Sequence, residues 1–167
     1  MSESHLAYLS LGSNIHPETN LVEAIALLGQ HGRVEKISNA WESKSLGAEG
    51  PNYLNACLSY RTRLKRIELK EQILLPIELQ LGRSRTDNKF VPRTIDIDIV
   101  IFDDKAGSEK FWNQAFVVLP LAEIYPTYRN PVTRETIQET AARLRQDIWM
   151  EVRPEVLRSF GGLSSRL

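Results

Sequence analysis

The sequence predicts an α+β fold, a mainly antiparallel sheet with helices packed on it. Three observations carry this reading. Stretches of period-two alternation recur along the chain, and apolar stripes of helical period separate them. The order of the two kinds, β-α-β-β-α-β, is that of a ferredoxin-like α/β sandwich with helices on one face of the sheet. At 167 residues the chain is long enough for one domain with a real core and too short for two comfortable ones.

Each element has a local signature. Leu6 to Leu11 reads as a short, largely buried first strand ended by Gly12-Ser13-Asn14. Thr19 or Asn20 is the cap expected for a helix whose Leu21, Ala24, Ile25 and Leu28 share one stripe, with Gly32 ending it. Val34 to Trp41 follows as a second strand, and Ser45 to Asn52 as a loop holding Gly47, Gly50 and Pro51. Leu54, Ala56, Leu58 and Tyr60 alternate with Asn55, Cys57 and Ser59, which gives a third strand. Lys65 to Leu81 is a second helix with Ile67, Ile73, Leu74, Ile77 and Leu81 inward and Gly82 closing it. Pro76 lies inside that helix, where its missing N–H should kink or split it. Ile95 to Phe102 is the fourth strand.

Downstream, Asp103 to Asn113 is polar and loop-like, and Phe116 to Leu119 reads as a short strand stopped by Pro120. Thr133 is placed to cap a last helix with Ile137, Ala141, Leu144 and Ile148 on its core side. One domain is therefore expected over residues 1–150, with 151–167 as a C-terminal tail. Phe160-Gly161-Gly162-Leu163 marks that tail as mobile.

Composition narrows the function. A formal net charge of zero gives no general attraction to nucleic acid or to an anionic membrane. No apolar run approaches the ~18–20 residues that span a bilayer. Met1 to His5 has no basic region leading into an apolar core, so a cytoplasmic address is expected. Cys57 is the single cysteine, which excludes an intrachain disulfide, and His5, His16 and His31 have no metal-ligand spacing.

The chemistry concentrates between residues 83 and 98. Arg83, Arg85, Lys89 and Arg93 occupy a segment with one acid, Asp87, and lead directly into Ile95-Asp96-Ile97-Asp98-Ile99. Alternation points Asp96 and Asp98 the same way, with Cα atoms about 7 Å apart. Such a pair is commonly the solvated face of a half-buried strand, and a four-cation loop is commonly solvated too. Adjacent to each other they suit a different task. Like charges on one face repel unless a cation is shared, and Mg²⁺ takes one or two carboxylates while phosphates and water fill its octahedron. Arginine adds bidentate donors for phosphate oxygens. The stretch thus reads as a clamp for a metal-bound polyphosphate.

Gly12-Ser13-Asn14, Tyr53-Leu54-Asn55, Gly82-Arg83-Ser84-Arg85 and Pro92-Arg93-Thr94-Ile95-Asp96-Ile97-Asp98 occur in that order, with Phe116-Val117-Val118-Leu119-Pro120-Leu121 further on. Over about residues 6 to 126 the chain resembles the hydroxymethyldihydropterin pyrophosphokinases, which move pyrophosphate from ATP to 6-hydroxymethyl-7,8-dihydropterin and release AMP. The resemblance implies that Asp96 and Asp98 hold two Mg²⁺ ions and that Arg83 and Arg93 act in catalysis. Arg83, Arg85, Lys89 and Arg93 would bind ATP, with Glu78 as a polar support. Ser43, Lys44, Leu46, Tyr53, Asn55 and Phe116 would bind the pterin, Tyr53 and Phe116 sandwiching the ring. ATP and the pterin would be the only partners of a monomeric enzyme that contacts neither nucleic acid nor membrane.

The chain also departs from that pattern. Between Asp98 and Phe116 it lacks a Pro-His element and is about eight residues short of the family. Gln114 stands where an arginine belongs, with Lys105 and Lys110 nearby. Phe90-Val91 replaces tryptophan-glycine, Ser43-Lys44-Ser45 replaces a Thr/Glu-Pro run, and His16-Pro17-Glu18 replaces Gly-Asp-Arg. Three other readings stay open: a paralogue with another pterin or nucleotide substrate, a binding protein with weak or lost catalysis that acts through a partner, and an RNA-binding module using Arg61, Arg63, Lys65, Arg66 and Lys70.

Overall fold

The computed structural model describes residues 3–45, 50–82 and 94–160. Among them, β1 (His5–Ser13), β2 (Arg33–Ile37), β3 (Ala40–Ser43), β4 (Tyr53–Thr62), β5 (Asp96–Phe102), β6 (Lys105–Ala106) and β7 (Met150–Arg153) form one antiparallel sheet. Its order is β6-β5-β1-β4-β3-β7, and β2 pairs with β4 further along the edge that β3 shares. The fourth expected strand lies beside the first, the first beside the third and the third beside the second. The ferredoxin-like α+β arrangement is therefore present.

The expected second strand is two strands. Ser38 breaks it because its hydroxyl accepts from the Cys57 N–H at 2.9 Å, so a side chain stands in for the ladder there. Asn39 N–H then turns to the Glu123 carboxylate, also at 2.9 Å.

Helices α1 (Pro17–His31), α2 (Arg66–Leu69) and α3 (Leu75–Gln80) cover one face of the sheet. Their Leu21, Leu28, Leu69 and Ile77, with Leu74 between α2 and α3, meet Leu9, Leu11, Leu58 and Ile97 in the larger core. The first of these helices starts earlier than its expected cap. Pro17 takes the first turn, where its missing N–H is harmless, after His16 in a left-handed conformation (φ 41°).

Between α2 and α3, residues Lys70–Leu74 form a π-helical turn, and the Leu75 N–H reaches back five residues to the Lys70 carbonyl. Pro76 follows it at once, so the wider turn takes up the register that the proline interrupts. The inserted residue also shifts the apolar stripe. Leu69 and Leu74, five apart, are buried, while Ile67, expected inward, is 66% exposed.

The opposite face is covered as well, unlike the one-sided layer the sequence predicts. Helices α4 (Ala115–Ile124) and α5 (Ile137–Arg145) pack Val117, Leu121 and Ile137 against Tyr8, Cys57 and Ile101. The segment 116–119, read as a strand, lies within α4. Its apolar residues are buried on almost every side, and a short run of that kind has no period to separate strand from helix. Thr136, not Thr133, caps α5 through a capping box with Glu139, and Ile148 is exposed.

The expected boundary near residue 150 falls at the start of β7, which pairs with β3 from Ala40↔Arg153 to Ser43↔Met150. Beyond it Leu157 is buried in the larger core. Residues 161–167, expected as the mobile end, lie outside the described residues.

Arg153 donates to Glu42 across the β3–β7 pair. Asn52 first, and Arg153 after it, hold the Glu42 carboxyl below its ordinary value of 4.5. A lowered folded-state value stabilises above the unfolded value and is lost as pH falls through the folded one. Stability measured by urea unfolding is therefore expected to drop below about pH 4.5. Glu42→Gln should flatten that part of the acid dependence, and an unchanged profile would remove Glu42 from the account.

Candidate active site

Sheet register assembles the site at one end of the central strands. Gly12 of β1 stands between Asp96 of β5 and Asn55 of β4, and Asn55 pairs in turn with Trp41 of β3. Two residues along, Ser10 faces Asp98. Neighbouring strands lie about 4.8 Å apart, so Asp96 and Asn55 are separated by about 10 Å across a glycine. A Cβ at Gly12 would come 3.3 Å from the Asn55 Oδ1 and 3.9 Å from the Tyr53 ring, so the missing side chain keeps this floor open.

Above that floor is a cavity of about 890 Å³. Asp96 and Asp98 line one part of it, and Ser43, Lys44, Tyr53, Asn55 and Phe116 line another. Five of the seven therefore come from strands, with Phe116 contributed by α4 and Lys44 just after β3. Of the residues that the family resemblance implies, Arg83, Arg85, Lys89, Arg93 and Leu46 lie outside the described residues.

Asn55 is held rigidly. It is 3% exposed, and its amide nitrogen donates to the Trp41 carbonyl at 3.2 Å and to the Ser43 hydroxyl at 2.8 Å. With both amide hydrogens used, its oxygen is the atom left to accept. Lys44 reaches over the Trp149 ring at 5.9 Å, which fixes its stem at the cavity rim.

Glu78 does not line the cavity. It is 2% exposed, and its Oε2 accepts from the Ile97 N–H at 2.7 Å. Among the described residues, strand β6 covers only Ile101 and Phe102 and the Gly107 N–H meets the Val100 carbonyl, so no described strand flanks Asp96–Ile99 opposite β1. The Glu78 carboxylate occupies the other side. Its contact falls on the residue between Asp96 and Asp98, and it fixes the strand that carries them.

Three further cations line the cavity: Lys110, which the sequence offered beside Gln114, and Arg66 and Lys70, which no motif placed there. The Lys70 Nζ lies 3.8 Å from the Asp98 Oδ1, with both side chains partly exposed. Gln114, in the position where an arginine was expected, lines the cavity and precedes α4 as its N-cap residue. Cys57 lies under α4, and burial pushes its thiol well up, which removes thiolate chemistry from this region.

Two carboxylates on one strand fit a hard cation whose other ligands come from substrate phosphates and water. Among the described residues no group of three or more His, Cys, Asp or Glu could hold a metal ion alone. A metal here would thus depend on a phosphorylated ligand. The arrangement can serve a phosphoryl-type transferase, with a metal-nucleotide end and an end for a flat heteroaromatic acceptor.

A family model described as 7,8-dihydro-6-hydroxymethylpterin-pyrophosphokinase (HPPK) matches residues 8–126. The 2-amino-4-hydroxy-6-hydroxymethyldihydropteridine pyrophosphokinase of Synechocystis is 36% identical over 146 residues, covering 81% of this chain and 74% of the relative. The protein of the same name from Aquifex aeolicus is 35% identical over 145 residues, covering 79% and 88%. A solved structure of Plasmodium falciparum HPPK-DHPS with pteroate superimposes with a TM-score of 0.64 at 14% identity, over 86% of this chain and 43% of that one. That last likeness bears on the fold alone, and this chain spans less than half of that longer protein.

The chain belongs to the 7,8-dihydro-6-hydroxymethylpterin-pyrophosphokinase family. It is an ATP-dependent diphosphotransferase of folate biosynthesis, moving pyrophosphate to 6-hydroxymethyl-7,8-dihydropterin with AMP as the other product.

Removing the Glu78 charge should loosen β5. Hydrogen bonds to charged groups contribute about 1.5–3 kcal/mol, and a buried N–H left alone costs a similar amount. Glu78→Ala is expected to lower unfolding stability by about that much, with Glu78→Gln in between. Equal stability of all three proteins in urea titration would show that the contact holds nothing.

Proposed function

We infer that the cavity on the Gly12 floor is where the transfer occurs, with the nucleotide at the Asp96–Asp98 end and the pterin at the Tyr53–Asn55–Phe116 end. The single observation carrying this reading is that both groups line one cavity, separated by a glycine. Pyrophosphoryl transfer asks little covalent chemistry of a protein. It needs the hydroxymethyl oxygen held in line with the β-phosphorus, and it needs negative charge balanced as the bond to the α-phosphate breaks.

Asp96 and Asp98 would hold Mg²⁺, two ions in our reading, which when bound offset charge on the phosphate oxygens. The Asn55 oxygen accepts from a ring N–H of the pterin, and the Ser43 and Trp41 contacts keep that oxygen aimed. Tyr53 and Phe116 stack on the two faces of the ring, an offset geometry worth about 0.5–1.5 kcal/mol per aromatic pair beyond area burial. Lys44 closes the pterin end, and Leu46 adds an apolar contact to the pterin. Arg83, Arg85, Lys89 and Arg93 clamp the phosphates, with Arg83 and Arg93 acting on the transferred group. Glu78 is a positioning residue, acting through β5. The enzyme works as a monomer in the cytoplasm, with ATP and hydroxymethyldihydropterin as its partners. The formal net charge is zero, and among the described residues no helix is long and apolar enough to cross a membrane.

Purified protein given ATP, Mg²⁺ and hydroxymethyldihydropterin should release AMP. Asp96→Ala or Asp98→Ala should reduce kcat by at least about 10²-fold, the scale seen when one group stabilising developing charge is lost. AMP release that survives both substitutions would move the metal end elsewhere, whereas pterin binding without AMP would favour a binding protein.

A second set of variants addresses the pterin end. Asn55→Ala should raise KM for the pterin about tenfold or more, as expected for one lost hydrogen bond to a buried polar group, and leave KM for ATP near its wild-type value. A matched change in both constants would show that Asn55 supports the whole site.

A further inference from the structure

The basic run from Arg61 to Lys70 is an excess of charge only along the sequence; folding sends its members to different tasks. Arg61 pairs with Glu35 at 2.8 Å, and Lys65 precedes α2, its N–H donating to Glu68 at 2.8 Å. Arg66 and Lys70, one helical turn apart, both line the cavity. Lys70 is the first residue of the π-helical turn and lies 3.8 Å from Asp98.

Arg66 has a seat of its own. A Cβ built on Gly107 would fall 2.1 Å from the Arg66 Nη2 and 2.6 Å from its Cζ. The guanidinium therefore occupies the space a side chain would fill at residue 107. Gly107 is itself tied to β5, its N–H donating to the Val100 carbonyl at 3.2 Å. This guanidinium is thus braced beside the strand that carries both aspartates.

The segment between Asp98 and Phe116 gives the same cavity one cation, Lys110. No arginine or histidine occurs between Asp98 and Phe116, and Gln114 faces the cavity there. We propose that Arg66 and Lys70, with Gly107 as the seat of the guanidinium, form a second cationic wall that grips the phosphates of the bound nucleotide. The proposal rests on the reading of this cavity as the pyrophosphokinase site. Before the nucleotide arrives, Lys70 balances Asp98. With a nucleotide and its metal bound, Asp98 would serve as a ligand and the Lys70 ammonium would be free to pair with a phosphate oxygen. Arg66 supplies planar, bidentate donors that lysine cannot, so the two are not interchangeable.

The test is calorimetric binding of α,β-methylene-ATP with Mg²⁺, alongside the AMP assay. Arg66→Gln and Lys70→Gln should each weaken analogue binding about tenfold, the effect of one lost phosphate contact, and raise KM for ATP while KM for the pterin stays put. Gly107→Ala should weaken binding comparably by unseating Arg66, and combining it with Arg66→Gln should add little further loss. Arg63→Gln, an exposed member of the same run that does not line the cavity, should bind as wild type does. Lys70→Arg should recover part of the loss. Unchanged analogue binding in Arg66→Gln and Lys70→Gln, or no analogue binding by the wild type, overturns the second wall. A wild type that binds the analogue, loses binding in these variants and yet releases no AMP keeps the wall and removes the catalytic reading.

Discussion

The structure depends on one constraint, the antiparallel register that sets Asp96, Gly12 and Asn55 side by side on three central strands. A shift of one residue in either pairing would turn a site residue into the core and an isoleucine or leucine into the cavity. The register is held from both faces. Leu9, Leu11, Leu54, Leu58 and Ile97 are buried under the first helix layer, and Tyr8 and Cys57 under the second. Covering both faces makes the alternation mandatory, because a slipped strand would bury a carboxylate in either layer. At the exposed flank of β5, the Glu78 carboxylate supplies the partner that a further strand would have given.

Chemistry and stability are divided between the strand residues. Odd-numbered Ile95 and Ile97 anchor β5, and even-numbered Asp96 and Asp98 face the cavity. The same division runs through β4, where Leu54, Ala56 and Leu58 enter the larger core and Asn55 stays with the site. Glycine is used where a side chain would intrude. Gly12 leaves the floor open and Gly107 leaves room for Arg66, so two missing side chains shape opposite parts of one cavity. The second helix layer adds to the cavity lining what strands alone do not: Phe116, and Gln114 at the start of the same helix.

Much of this was legible in the sequence because it depends on period. The four principal strands, the two helical segments 17–31 and 66–80 of the first layer and the shared direction of Asp96 and Asp98 follow from alternation and apolar stripes. Three features escaped for physical reasons. The run 116–119 is buried on almost every side and carries no period, so its helix was read as a strand. The π-helical turn before Pro76 adds one residue to the repeat, which put Ile67 on the wrong side. Arg66 and Lys70 reach the site only through contacts with Gly107 and Asp98, about 30–40 positions away, and no local motif announces such pairs. Glu78 was legible as a polar group of the site but not as a brace for β5, since that role needs the edge of a sheet to be known.

In the proposed site the metal end and the pterin end share one cavity, separated by two strand spacings. Replacing Mg²⁺ with Mn²⁺ in a complex with α,β-methylene-ATP and the pterin makes this measurable as paramagnetic broadening of the hydroxymethyl proton signals. An ion held by Asp96 and Asp98 should lie within about 10 Å of those protons, close enough for strong broadening that disappears in Asp96→Asn/Asp98→Asn. Sharp signals in the wild-type complex, or broadening that persists without the two carboxylates, would contradict the claim.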